Sequence, residues 1–479
     1  MVVRGASTLA SAKYRDNGAT QIGDPWPSHG RRRGSAAHVS PQRYTRGRNE
    51  PPYRLRPIQR RGSVWRGMNL KFQRAADRLI GIPLCALLSL WDRLFGRRVV
   101  AVQPRRILVI LLSEMGSLVL AEPMFASLKR KYPGAAVHVL LFAKNREVLD
   151  LLRVVESANV LTLNDRSVPA LATDSIKALA RLRSLKLDAV LDCELFSRVS
   201  SIFSYLCGAR LRVGFHPHTQ EGLYRGSFIN RPVMYNPYRH LTLQFLSLVA
   251  ALESTTIPLC KELIASMPDG PAPFEFEPQE KEAIAAQLHA DFPAIAAKRL
   301  VLIYPGGGLL PIRAWPLESY GTLCAALIAD GLAVGVVGLA SDRPLARALA
   351  DRSMSDACVD LTGYTKSVRA LLALFHRADL LITNDGGPGQ FAALTPIPSI
   401  VFFGPETPLL YRSLSRNAHF FHIALPCSPC LTAYNHRSSP CDGDNQCLKQ
   451  ITPAQVIGKA REMLAHGQVS PAANAHVLA

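Results

Sequence analysis

Four almost wholly apolar runs constrain this chain more than any other feature: Ile107–Leu112, Leu300–Tyr304, Leu380–Ile382 and Ser399–Phe403. Each is short and bounded by turn residues, the pattern of a central parallel strand covered on both faces. Parallel strands need crossover helices, and helical segments fall between them. These are Ser175–Leu185, Leu118–Tyr132 and Leu241–Leu252 in the first half, and Leu317–Asp330, Arg343–Ser353 and Val368–His376 in the second. Further strands are expected at Val137–Phe142, Ala189–Leu191, Val213–Phe215 and Ala333–Val337. The chain therefore reads as α/β, with two doubly wound Rossmann-like domains at 101–265 and 286–479 facing a cleft, joined by a Pro- and acid-rich linker at 266–285.

Charge is unevenly placed. Of the net +20, Met1–Gly67 contributes 14 Lys/Arg against 3 Asp/Glu. Residues 1–67 lack apolar periodicity and read as a disordered basic extension, with Met68 as an alternative start. No zinc-finger, RRM or basic-zipper pattern accompanies the charge, so no nucleic-acid partner is expected. The segment 68–100 holds the most apolar run, Leu79–Trp91, flanked by Arg74, Arg78, Arg93, Arg97 and Arg98. It is too short to span a bilayer, for which roughly 20 apolar residues are needed. Its basic flanks and Trp91 suit an amphipathic segment on an anionic membrane surface; the alternative is a helix packed on the domain core.

Two strand-end turns carry the chemistry. Leu380–Ile382 runs into Asn384-Asp-Gly-Gly-Pro-Gly-Gln390, with a helix expected from about Gln390. Ligands of open α/β sheets sit beyond the carboxyl ends of such strands. Asp385 falls at that edge, Gly386 and Gly387 admit a ligand to the backbone, and a following helix presents N–H groups to an anion. The second turn, Pro305-Gly306-Gly307-Gly308, leaves backbone N–H groups unobstructed, as a diphosphate requires. Arg313, in Arg-Ala-Trp-Pro316, would neutralise that phosphate with a bidentate grip. Neither a Walker A loop nor the spaced glycines of a nicotinamide site is present.

With these pieces the chain resembles glycosyltransferase family 9, the lipopolysaccharide heptosyltransferase-like enzymes with a GT-B fold. The resemblance runs from Arg105 to about Ile451 and rests on six elements. They are Ile107–Pro123 with Ser-x-x-Gly, Tyr304–Pro316, Val359–Gly363, Asn384–Pro388, Phe403-Gly-Pro405 and the terminal cysteines. It implies inverting, metal-independent transfer of a heptose-like or other hexose unit from a nucleotide-diphosphate donor, ADP-heptose-like among the candidates. The acceptor would be lipopolysaccharide or another lipid-linked saccharide or polysaccharide. The enzyme would be cytoplasmic, peripheral at the inner face of the cell membrane, and no cofactor is required for catalysis. The family pattern places donor phosphate on Arg313 and donor sugar and phosphates on Asp385, Gly386 and Gly387.

Two departures bear on the site. Where the family carries the general base, an Asp after the Gly of Ser-x-x-Gly, this chain has Ser117, whose hydroxyl is far too weak an acid to serve as a base at neutral pH. Glu114 on the same turn is the first substitute and Glu122 on the helix the second; both have the alternative of surface or capping residues. Loss of the base also suits a non-catalytic glycan- or sugar-nucleotide-binding member. Gln390 replaces the family's common His and keeps a hydrogen-bond donor without a charge. Six of the ten cysteines are scattered, as in a reduced cytosolic protein. Cys427, Cys430, Cys441 and Cys447 have a spacing suited to a structural zinc, with free thiols as the alternative. His216 and His218, beside Tyr224 and Arg225, are candidates for the acceptor side, and Tyr434–Arg437 adds polar groups to the cleft.

Overall fold

The computed structural model describes residues 77–96, 103–112, 114–195, 197–216, 224–261, 264, 266–435 and 437–465. The basic extension 1–67, Arg74, Arg97, Arg98, Ser113 and His218 lie outside them.

Two six-stranded sheets are built, every neighbouring pair parallel. The first contains β1 (Arg106–Ile110), β2 (Ala136–Phe142), β3 (Val160–Leu163), β4 (Ala189–Asp192), β5 (Leu211–His216) and β6 (Arg231–Met234), in the order β3-β2-β1-β4-β5-β6. The second contains β7 (Leu300–Tyr304), β8 (Ala333–Gly338), β9 (Cys358–Thr362), β10 (Leu380–Asn384), β11 (Ser399–Phe403) and β12 (Ala418–His422), in the order β12-β11-β10-β7-β8-β9. Counted from its own first strand, each sheet has the same order, which reverses direction beside that strand. The crevices where doubly wound sheets bind ligands therefore open between β1 and β4, and between β7 and β10. Together the lobes make the two facing Rossmann-like domains of a GT-B fold.

The strand sequences explain the layering. Side chains alternate along a strand, so a continuous apolar run feeds two cores at once. Ile107 and Val109 join a buried cluster that continues from Leu118, Phe125 and Phe245 of the first lobe to Phe391, Leu394 and Tyr411 of the second. Leu108 and Ile110 fill the opposite face with Leu140, Val190 and Phe203. In the second lobe Val301 and Ile303 pack with Trp315, Tyr320, Ile382 and Phe402.

Six helices matter below: α1 (Gly81–Phe95), α2 (Met115–Lys131), α3 (Arg198–Leu206), α4 (Leu241–Ala250), α5 (Gly387–Phe391) and α6 (Pro453–Ala465). Two differ from the sequence expectation. Helix α2 begins at Met115 rather than Leu118, so Gly116 and Ser117 lie in its first turn. Helix α5 begins at Gly387 and is a single turn that contains Gln390, so it offers little of the dipole expected of a longer helix. Strands β3, β6, β9 and β12 are absent from the sequence reading. All four are sheet edges: β3, β6 and β12 are half-buried rather than uniformly apolar, β6 carries Pro232, and the short run of β9 is interrupted by Asp360.

Candidate active site

The crevice at the ends of β7 and β10 is assembled by one side chain. Asn384, last residue of β10, accepts from the Trp315 backbone N–H at 2.8 Å and from the Tyr320 hydroxyl at 3.2 Å. Its amide nitrogen donates to Tyr304 O at 3.3 Å and Gly306 O at 3.0 Å. Asn384 thus ties the turn after β10 to the glycine loop after β7 and to the segment carrying Arg313. Trp315 is a buried plug: its ring lies 4.7 Å from Phe402 and 5.0 Å from Tyr320, and its indole N–H donates to Ile451 O just before α6. The glycines are needed where they stand. Gly308 sits at φ +61, and a Cβ on Gly307 would lie 2.7 Å from Leu310 O and Pro311 Cα.

Arg313, held by this frame, is only 7% exposed, and its Nη1 donates to Asp385 Oδ2 at 3.3 Å. Its Nε–H has no partner. A buried guanidinium with an unmet donor is costly, and an anion in the crevice would relieve that cost. Burial pushes the Asp385 carboxyl above its usual range, with Arg313 the main opposing influence and Glu114 adding to the rise. The Asp385 N–H is taken by Phe402 O at 2.9 Å, while Gly386 is open. Gln390 is placed differently from a phosphate donor. Its amide nitrogen donates to Tyr411 O at 2.7 Å, its Oε1 has no partner, and its Cγ lies 2.9 Å from where a Cβ of Gly116 would be. Its position is a close seam between α5 and α2.

The facing lobe contributes Glu114, the residue before α2. Its turn is braced through Leu112, whose N–H donates to Glu194 Oε1 at 2.7 Å and whose carbonyl accepts from Asn145 at 3.1 Å. The Glu114 carboxylate crosses to the other lobe and ion-pairs with Arg437. Arg437 Nε also lies 3.4 Å from Glu406 Oε1, and its guanidinium stands 5.3 Å over the Tyr411 ring. Arg437 is held at φ +54, left-handed backbone that costs a side-chain-bearing residue about 1–2 kcal/mol. Asn435 secures the loop, accepting from Thr432 N–H at 3.0 Å and donating to Cys430 O at 2.7 Å.

Glu406, just beyond β11, is 2% exposed, and its Oε1 makes no hydrogen bond despite Arg437 at ion-pair distance. Burial pushes its carboxyl up to about 8 while Arg437 pulls the other way. The sequence reading missed Glu406; the signal was its place directly after Phe403-Gly-Pro405, at the carboxyl end of a central strand. Arg437 was legible only as one of four polar residues.

Of the base candidates, Glu114 shares its field with Asp385, Glu406, Tyr411 and Arg437. Glu122 is half-buried farther along α2, and burial alone raises its carboxyl. Ser117 is partly exposed in the first turn. On the acceptor side, Arg225 is not a cleft residue: it is 1% exposed and ion-paired to fully buried Asp192. The Tyr224 hydroxyl lies 2.9 Å from Ser89 of α1. Among the described residues no three His, Cys, Asp or Glu side chains are arranged to hold a metal ion. Cys430 Sγ accepts from Ser439 at 3.0 Å and Cys441 Sγ faces Asp442 and Asn445, so as placed the four cysteines do not form a ligand set.

Comparison with known proteins agrees with this architecture. The family model for glycosyltransferase family 9 (heptosyltransferase) matches residues 176–438. Lipopolysaccharide heptosyltransferase 2 of Salmonella typhimurium is 24% identical over 370 residues, covering 75% of this chain and 98% of that protein. Its Escherichia coli counterpart is 23% identical over 366 residues, covering 75% and 98%. Among solved structures, E. coli ADP-heptose lipopolysaccharide heptosyltransferase II superposes with a TM-score of 0.59 at 20% identity, over 75% of this chain and 99% of that one. An E. coli heptosyltransferase with ADP-2-deoxy-2-fluoro heptose gives 0.51 at 18% identity, over 74% and 99%. The matched stretch exceeds half of the chain and contains Arg313, Asp385, Glu406 and Arg437: the protein is a glycosyltransferase and belongs to family 9, the heptosyltransferase family.

Proposed function

We propose that this chain transfers a heptose-like or other hexose unit from a nucleotide-diphosphate donor to the saccharide of a lipopolysaccharide or another lipid-linked or polysaccharide acceptor. Transfer inverts the anomeric carbon, uses no metal, and takes place at the inner face of the cell membrane. One observation carries the reading: the unpartnered Nε–H of buried Arg313, at the crevice where the Pro305–Gly308 loop and the Asp385 turn are tied together by Asn384. The donor diphosphate takes that N–H and the amides of Gly306 and Gly307, and the sugar lies along Asp385, Gly386 and Gly387. An ADP-heptose-like donor is the first to try, because a relative of the same fold is seen with ADP-2-deoxy-2-fluoro heptose.

Glu114 is the proposed base. It accepts the proton of the acceptor hydroxyl as that oxygen bonds to the anomeric carbon and the bond from that carbon to the diphosphate oxygen breaks. The charge arriving on the leaving diphosphate is met by Arg313 and the loop amides. Arg437 holds Glu114 towards the donor lobe, and Ser117 next to it lines the same approach. The test is transfer from a panel of nucleotide sugars, followed by Glu114→Gln. That variant is expected to lower kcat by about 10²- to 10⁴-fold while ADP affinity stays at the wild-type value. Wild-type turnover in the variant removes Glu114 from the role. Binding without transfer across the panel supports a non-catalytic member instead.

A structural zinc on Cys427, Cys430, Cys441 and Cys447 is a separate proposal. Its support is the spacing, together with the proximity of the other three thiols, which add to burial in pushing Cys447 up to about 11. Elemental analysis finding one zinc per chain supports it, and a metal-free, fully folded protein overturns it.

A further inference from the structure

Helix α1 is packed inside out. The seam it presents to the first lobe is small and polar: Gly81, Cys85 and Ser89 are buried, with Asp92 half-buried beyond them. Gly81 is pressed so closely on α3 that a Cβ there would lie 2.8 Å from Arg198 Cβ. Ser89 accepts from Ser227 N–H at 2.9 Å and donates to Cys85 O at 2.6 Å. Asp92 pairs with Arg212 at 3.0 Å, and Asp77, just ahead of the helix, pairs with buried Arg198 at 2.8 Å. These ties fix the helix rigidly to the acceptor lobe.

The outward face holds the large apolar side chains. Leu79, Leu87, Leu90, Trp91, Leu94 and Phe95 are 55–73% exposed, and the Trp91 and Phe95 rings lie 4.6 Å apart. Burying such side chains is favourable, and here most of that gain is forgone in water. A contiguous face of this kind marks an interaction surface. No helix among the described residues is long and apolar enough to cross a membrane. Exposed Arg78 and Arg93 stand near the two ends, and the sequence continues into Arg97 and Arg98.

We propose that the outward face of α1 docks on the surface of an anionic lipid bilayer, with Trp91 and the leucines inserted at the headgroup boundary and the arginines on the phosphates. Charge favours this occupant over a second copy of the chain. A two-fold pairing of antiparallel α1 helices would set Arg78 of one copy beside Arg93 of the other, like charge against like charge. The sequence placed an anchor in this segment. The structure adds which face is free and that the opposite face is clamped to the acceptor lobe. Only the purpose of the docking, delivery of a lipid-linked acceptor, rests on the function proposed above.

The test needs no substrate, so its failure is separate from failure of the transferase reading. The full chain is sedimented with phosphatidylcholine vesicles and with mixed phosphatidylcholine–phosphatidylglycerol vesicles, and its oligomeric state is measured without lipid. The wild-type chain is expected to bind the mixed vesicles in preference. Leu87→Asp combined with Leu90→Asp is expected to weaken binding by about tenfold or more, with an unchanged melting temperature. Trp91 fluorescence is expected to shift to the blue on the same vesicles, a change lost in Trp91→Phe. Equal binding by wild type and the double variant overturns the proposal, because the basic extension then suffices. A lipid-free dimer abolished by the double substitution also overturns it, assigning the face to a second copy.

Discussion

Two buried Asp–Arg pairs sit at the ends of equivalent strands, Asp192–Arg225 after β4 and Asp385–Arg313 after β10. Their difference separates an ion pair satisfied within the chain from the one that the proposed function uses for binding. Arg225 spends its donors inside the protein: on Asp192, on Ser200 at 3.0 Å, on Ser197 O at 3.2 Å and on Phe215 O at 3.2 Å. Arg313 makes one bond to Asp385 at 3.3 Å and leaves Nε without a partner, though it is nearly as buried. The unmet donor of a buried guanidinium is the feature on which the proposed donor site rests. The turns after β1 and β7 divide in the same way. In the proposed function one supplies a carboxylate, Glu114, to take a proton, and the other, rich in glycine, takes an anion.

The comparison breaks most visibly at Arg225. Arg225→Ala strands fully buried Asp192, whose carboxyl burial already pushes up to about 6 against the pull of Arg225. The expected loss is about 3–5 kcal/mol of stability, read as a lower denaturation midpoint. A near-neutral result would make the first pair as dispensable as a surface one.

Asn384→Ala comes next. It leaves Trp315 N–H and the Tyr320 hydroxyl without their acceptor, at an expected cost of about 1–3 kcal/mol. It also frees the Pro305–Gly308 loop, so ADP affinity should fall together with stability. Loss of stability with full ADP affinity would mean that the two turns do not need to be tied.

The third effect is a slope, small at any one pH step. Glu406 titrates at about 8 in the folded chain against an ordinary 4.5. The native state therefore holds a proton that the unfolded state has released. The contribution is complete below about pH 4.5 and is lost as pH rises through about 8, by up to about 1.4 kcal/mol per pH unit. Glu406→Gln should flatten melting temperature against pH across that window; an unchanged slope would assign it to other groups.

What the sequence made legible follows from what each residue's neighbours are. Central strands β1, β7, β10 and β11 are covered on both faces, so they show as apolar runs, and the residues at their ends could be read from position alone. Edge strands β3, β6, β9 and β12 carry partly exposed or polar residues and lose that signature. Asp385 was readable because it directly follows β10, and Arg313 because its Arg-Ala-Trp-Pro motif lies just downstream of the glycine loop after β7. Arg437 was not, because its partner Glu114 lies in the other lobe and the cysteine-bearing loop must fold across the cleft to bring them together. Gln390 read as a ligand donor, and the close approach of Gly116 gives it a packing position that only the juxtaposition of α2 and α5 reveals.

The most direct test of the account is ADP binding to Arg313→Ala by calorimetry, with the melting temperature measured on the same sample. Loss of a charge-assisted contact of about 1.5–3 kcal/mol predicts affinity about 10- to 100-fold weaker in a protein that still folds. Wild-type ADP affinity in a folded Arg313→Ala chain would contradict it, and would return the Arg313–Asp385 pair to the structural class of Arg225 and Asp192.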